Sequence, residues 1–280
     1  MKRVNRIATK FKELKKQKKV AMISYLTAGD PDYRAYADSL IELPKNGVDI
    51  VEIGIPFLDP AGDGVVIERS SRRAVKSGLR VEDVIGSALE LRQNDNTTPI
   101  VIMGYYNSLF HYGINKFCAD AQNAHIDGIL IVDLPPEEDN ELRLAAEKNN
   151  LNLIKLVSLT SSQERIKTIV ENASGFIYLV SVLGVTGTKT AQIEEVKNHI
   201  KMIRKETKLP IVVGFGIKTR DQVKEMATTG TDGVVVGSSL IQVIEKFLKK
   251  TTYTNTKEIP NLIANKARKL FVESKKEEKK

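Results

Sequence analysis

Short runs rich in Val, Ile and Leu recur along the chain at Val20–Leu26, Val48–Gly54, Pro99–Tyr105, Gly128–Asp133, Asn152–Ser158, Gly175–Ser181, Pro210–Gly214 and Asp232–Gly237. Several are apolar almost without interruption, which is how strands buried on both faces of a parallel sheet read. Segments with helical spacing lie between them, among them Glu137–Asn149, Gln163–Val170, Ile193–Glu206 and Thr219–Thr229, and the stretch between the second and third strands has room for two helices. Eight β-then-α units in 280 residues predict a closed barrel over an open doubly wound sheet. The expected fold is α/β, a single parallel (β/α)8 TIM barrel over about residues 20–248 with extra flanking helices: one near 5–18, and a C-terminal helix, centred on Pro260–Glu273, that runs into a charged tail within 256–280. A weak echo supports the repeat: Gly47–Val51, Ile126–Leu130 and Thr231–Val235 each place Asp just ahead of a strand.

Composition changes this picture little. The hydrophobic fraction is 41% and the charged fraction 28%, ordinary for a globular protein, and no apolar run approaches the roughly 20 residues of a membrane span. A net charge of +8 would suggest nucleic acid, but residues 1–19 carry nine Lys or Arg against one Glu, and 266–280 carry seven against three, which leaves the middle near −4. Basicity confined to the ends reads as a solvated terminal helix and a frayed Lys/Glu tail, so neither nucleic acid nor membrane is an expected partner. Cys118 is the single cysteine, which excludes an intrachain disulfide and a multi-cysteine zinc site. With no apolar signal segment in Met1–Lys19, a cytoplasmic address is expected.

Barrels of this kind carry their sites on the loops after the C-terminal strand ends. Three glycine-bearing turns follow the last three strands: Gly184-Val185-Thr186-Gly187, Gly214-Phe215-Gly216 and Gly237-Ser238-Ser239. The last opens a helix, where unpaired N–H groups and the helix dipole attract an anion, and a phosphate site is often built from these loops. Such a cradle specifies a handle and leaves the reaction open.

The chemistry points to carboxylates. Glu52 interrupts an apolar strand and shares a face with Ile50 and Gly54; if that face is inward, the carboxyl sits poorly solvated in the barrel mouth. The loop Pro56–Gly64 adds Asp59 and Asp63, and Asp63 could reach back over the same pocket. Two carboxyls in unlike surroundings can divide acid and base roles. Lys155 on the fifth strand is open to two readings, a Schiff-base nucleophile or an ion pair of the barrel layer. His111, His125 and His199 fall in or beside helical segments, so no catalytic metal is expected.

In order along the chain, Thr27-Ala28-Gly29-Asp30-Pro31, Val51-Glu52-Ile53-Gly54-Ile55-Pro56-Phe57, Asp59-Pro60, Asp63-Gly64, Gly104-Tyr105-Tyr106-Asn107, Asp133-Leu134-Pro135, Gly184–Gly187, Gly214–Ile217 and Gly237-Ser238 resemble the tryptophan synthase α-subunit family, from about Val20 to Phe247. The resemblance implies a lyase that cleaves indole-3-glycerol phosphate to indole and glyceraldehyde 3-phosphate by a retro-aldol, acid–base route without a cofactor. It implies Glu52 as acid–base group and Asp63 as partner of the indole N–H. Tyr178, Tyr105, Thr186 and Phe215 would be substrate-binding, and Gly187, Gly216, Gly237 and Ser238 phosphate-binding. Asp59 would couple to a β subunit, in an α2β2 heterotetramer. The loop departs from the family pattern Phe-Ser-Asp-Pro-x-Ala-Asp-Gly-Pro at Leu58, Gly62 and Val65, and gaining Gly while losing Pro should loosen it. A stand-alone indole-releasing lyase and a weakly catalytic allosteric partner of a β subunit stay open beside the main reading.

Overall fold

The computed structural model describes residues 5–60, 62–180, 189–214, 216–250 and 256–277. Eight strands, β1 Ala21–Thr27, β2 Ile50–Gly54, β3 Ile100–Gly104, β4 Gly128–Ile131, β5 Asn152–Ser158, β6 Ile177–Val180, β7 Ile211–Gly214 and β8 Gly233–Val236, close into one parallel barrel in sequential order. The helices are α1 Arg6–Lys16, α2 Tyr33–Lys45, α3 Val65–Lys76, α4 Val81–Asn94, α5 Tyr106–Tyr112, α6 Ile114–Asn123, α7 Asn140–Lys148, α8 Gln163–Glu171, α9 Lys189–Glu206, α10 Arg220–Ala227, α11 Ser238–Leu248 and α12 Ile259–Glu277. The expected pair between β2 and β3 is α3 and α4, and a second pair, α5 and α6, separates β3 from β4. No described helix is long and apolar enough to cross a membrane.

Two apolar sets account for the strand composition. Residues of one parity, such as Ile53, Ile102, Ile129 and Val213, pack outward on the helices; those of the other, such as Ile23, Ile50, Val101 and Val212, fill the barrel. Helix α1 closes the N-terminal end of that interior: Ile7, Phe11 and Leu14 join the inner set, with Phe11 5.8 Å from Phe176 between ring centroids. Asn5 caps α1 through Ala8 N–H, and the lysines face away into solvent. Helix α12 lies across α2, α10 and α11 on the outside.

The aspartates ahead of strands pin the register. Asp49 accepts from Met22 N–H at 2.9 Å and returns its own N–H to Met22 C=O at 2.7 Å. Asp127 makes the same pair of bonds with Ile100, at 2.9 Å each, and Asp232 with Ile211, at 2.8 and 2.7 Å. Ser174 does so with Leu153, at 2.7 and 2.9 Å, using a hydroxyl in place of a carboxylate. Each reciprocal pair joins an odd strand to the next even one, so the barrel is fastened as four two-strand units.

Two expected boundaries shift for local reasons. The helix expected from Glu137 starts at Asn140, after a turn in which Glu138 N–H bonds to Pro135 C=O, with Asp139 as its N-cap. The strand expected from Gly175 starts at Ile177, since Gly175 has φ 77°, which no ladder residue adopts. Ser174→Ala would leave Leu153 N–H without its side-chain acceptor, and chemical denaturation should show a loss of about 1–2 kcal/mol. A loss below about 0.5 kcal/mol, the range of an ordinary surface substitution, would show that the pin contributes nothing to stability.

Candidate active site

Side-chain parity decides where Glu52 points. Its register partners Tyr25 on β1 and Val101 on β3 both belong to the inner set, as does Ile50 two residues before it, so the carboxyl enters the barrel interior. It is 1% exposed, and neither oxygen has a hydrogen-bond partner among the described residues. Burial alone pushes its pKa up to about 8, because the ionised form would lose its water with nothing in exchange. At neutral pH Glu52 therefore carries a proton that it can donate.

Asp63 sits differently. It is half-buried on the β2 loop, just before Gly64, the N-cap of α3. Desolvation raises its pKa, and a hydrogen bond from the Tyr105 hydroxyl opposes that rise. The same hydroxyl accepts Gly62 N–H at 3.4 Å, and Phe57 stacks on the Tyr105 ring with centroids 4.8 Å apart. One residue, the N-cap of α5, thus holds both ends of the loop.

At the C-terminal end of the barrel opens a pocket of about 340 Å³, the size range of small-molecule sites. Tyr25, Tyr178 and Met103 line it from inside the barrel, and Asp63 from the loop. Gly216, Gly237 and Ser238 line its far side. Helix α11 begins there with Gly237 as N-cap, no side-chain cap and no acidic residue in its first turn, so its positive end is left for an anion. The two tyrosines need glycine beside them: a Cβ on Gly54 would lie 2.1 Å from the Tyr25 hydroxyl, and one on Gly214 2.2 Å from that of Tyr178. The tyrosine hydroxyls thereby reach across to the neighbouring strand ends and narrow the pocket.

Of the residues named from sequence, Asp63, Tyr178, Gly216, Gly237 and Ser238 line this one cavity; Glu52 does not line it but lies beside Tyr25 and Tyr178, which do. Tyr105 is adjacent but lies behind the loop, supporting Asp63 without lining the pocket. Asp59 is exposed and forms no ion pair among the described residues. Thr186, Gly187 and Phe215 lie outside the described residues. Lys155 faces away from the interior and pairs with Asp139 at 6% exposure, so the nucleophile reading is set aside for the ion pair. Sequence reasoning passed over Tyr25, whose signal was its parity with Glu52 across β1 and β2, and Lys218, which lines the pocket from the loop after β7.

The chain is similar to known proteins of one family over most of its length. The family described as "Tryptophan synthase alpha chain" matches residues 11–270. The tryptophan synthase alpha chain of Geotalea uraniireducens is 44% identical over 244 residues, covering 87% of this chain and 91% of that protein. The crystal structure of tryptophan synthase subunit alpha from Legionella pneumophila superposes with a TM-score of 0.84 at 34% identity, covering 96% of this chain and 99% of that one. A chain of the tryptophan synthase complex from Pyrococcus furiosus gives 0.78 at 31% identity, covering 89% and 97%.

Burial of Glu52 has a consequence for stability. Its proton is held to about pH 8 in the fold and released near 4.5 in the unfolded chain, so the native state loses stability as pH rises between those values. Glu52→Gln removes that penalty. The variant should match the parent near pH 4 and exceed it by about 3 kcal/mol at pH 7 in urea unfolding. A stability difference that stays flat from pH 4 to pH 7 would mean that Glu52 is not held neutral by its surroundings.

Proposed function

The chain belongs to the tryptophan synthase alpha chain family, carbon–carbon lyases of tryptophan biosynthesis that cleave indole-3-glycerol phosphate, and we propose that Glu52 and Asp63 carry that cleavage. The observation that carries the assignment is Glu52 itself, a buried carboxyl with no hydrogen-bond partner among the described residues, beside two tyrosines that line the pocket. A structural carboxyl at 1% exposure would be paired, as Asp127 is with Arg6 and Arg92.

The retro-aldol step follows from the two environments. Glu52 delivers its proton to indole C3, which places positive charge on the ring, and the Asp63 carboxylate accepts the indole N–H and stabilises that charge. The Glu52 carboxylate so formed takes the proton of the C3′ hydroxyl as the C3–C3′ bond breaks. The bonding pair returns to the ring, the hydroxyl oxygen becomes the aldehyde of glyceraldehyde 3-phosphate, and Glu52 is again protonated. Tyr25 and Tyr178 flank the indole, and the open end of α11 with Gly216, Gly237 and Ser238 receives the phosphate. Thr186, Gly187 and Phe215 would complete the site from the adjoining loops.

The chain works as the α partner of a β subunit, and an α2β2 assembly in the cytoplasm is the form proposed. Leu58, next to Asp59 in the β2 loop, and Val65 at the start of α3 are exposed at 53% and 63%, apolar side chains suited to that partner.

Two measurements test this reading. Glu52→Gln should lower kcat by about 10²–10⁴-fold, and in the parent kcat/KM should fall as pH rises through about 8, because the acid form starts the reaction. A rate that instead rises through pH 8 would make Glu52 a base first and reverse the proposed order. The second concerns the loop. An added Cβ at Gly62 meets nothing within 4 Å, and Val65 is the first residue of α3 behind an extended Gly64, which suits proline. Gly62→Ala with Val65→Pro should reduce the loop's open ensemble, by about 0.4–1 kcal/mol each, raising the basal rate and shrinking activation by a β subunit. An unaltered basal rate in the folded double variant would remove loop entropy as the restraint on the free subunit.

A further inference from the structure

The cradle of Gly216, Gly237 and Ser238 offers a phosphate dianion only neutral donors and a helix end, and within the described residues one cation lines the same pocket, Lys218. We propose that Lys218 is a further phosphate-binding residue of this site, supplying the countercharge for the substrate's phosphate; the inference rests on the assignment of that cradle.

Backbone geometry holds Lys218 in place while leaving its ammonium uncommitted. Its N–H donates to Gln222 Oε1 at 2.7 Å, the same oxygen that accepts Thr219 N–H at 3.1 Å in the capping box of α10. Its carbonyl accepts from Lys266 Nζ on α12 at 3.4 Å. The residue is thus fastened to two helices through its main chain. Its side chain is exposed and forms no ion pair among the described residues. The two helices that start near it differ in kind: α10 closes its own N-terminus with Thr219 and Gln222, whereas α11 opens on Gly237 with none of its own atoms in that role. An anion drawn to the open end of α11 therefore comes within the reach of a lysine anchored beside the closed one. A charge-assisted contact of this type strengthens binding and fades with ionic strength, since the ammonium is at the surface.

Calorimetric titration of inorganic phosphate into the parent chain, Lys218→Met, Lys218→Arg and Gly237→Asp tests the assignment, alongside KM for indole-3-glycerol phosphate. Lys218→Met should bind phosphate about 10-fold more weakly (1.4 kcal/mol) with a matching rise in KM, and a shallower salt dependence than the parent. Lys218→Arg should restore most of the affinity, which a purely structural role of the side chain would not require. Phosphate affinity within twofold of the parent in Lys218→Met, with affinity lost in Gly237→Asp, would overturn the role of Lys218 and leave the cradle standing. Undiminished phosphate binding in Gly237→Asp would remove the cradle and this inference together.

Discussion

Eight parallel strands closed into a ring have no free edge, so a one-residue slip at any pairing would have to be absorbed by all the others, and every side chain is committed to the inside or the outside of the barrel. The reciprocal pins at Asp49, Asp127, Ser174 and Asp232 set that commitment at the N-terminal ends of the strands, where each fixes one backbone N–H and one C=O of the strand before it. Everything at the opposite end inherits the parity. Tyr25, Glu52, Met103 and Tyr178 meet because their strands were put in register some three residues earlier.

The barrel keeps its charges apart by the same rule. Among the described residues, the buried ionic groups outside the barrel interior are paired: Lys155 with Asp139, and Asp127 with both Arg6 and Arg92. Inside, Glu52 has no hydrogen-bond partner among the described residues, and the carboxyl answers by keeping its proton. Desolvation thus prepares a neutral acid at physiological pH. The stability forgone is of the size that a barrel with two extensive apolar sets can absorb.

Loop and phosphate ends of the pocket are mechanically joined on the outside. Arg73 of α3 binds Asp30 after β1 through a bidentate pair at 2.6 and 2.8 Å, and also approaches Glu245 of α11 at 3.5 Å. Arg69, one turn earlier on α3, holds the same Glu245 at 2.7 and 2.9 Å. The helix that follows the Asp63 loop and the helix whose N-terminus faces the phosphate are therefore tied together by one buried-to-surface network, with α12 packed behind α11.

Much of this was readable in the chain. Continuous apolar runs follow from burial on both strand faces, and eight of them alternating with helical spacing leave few alternatives to a barrel; Glu52 stood out because a carboxyl in such a run needs a reason. The aspartate echo was visible at Asp49, Asp127 and Asp232, but its meaning was not, and Ser174 was missed because a hydroxyl can serve the same N–H without sharing the sequence pattern. Which way Glu52, Lys155 and Tyr25 face depended on parity across hydrogen-bonded neighbours, Tyr25 with Glu52, Glu52 with Val101 and Lys155 with Ile177, a relation between residues on different strands that no local window contains. The roles of Tyr105 behind the loop and Lys218 beside the cradle likewise came from proximity created by closure. Local sequence determines which elements form, because propensity and burial act residue by residue; the tertiary structure decides which of their side chains share one desolvated space, because only ring closure brings distant strand ends together.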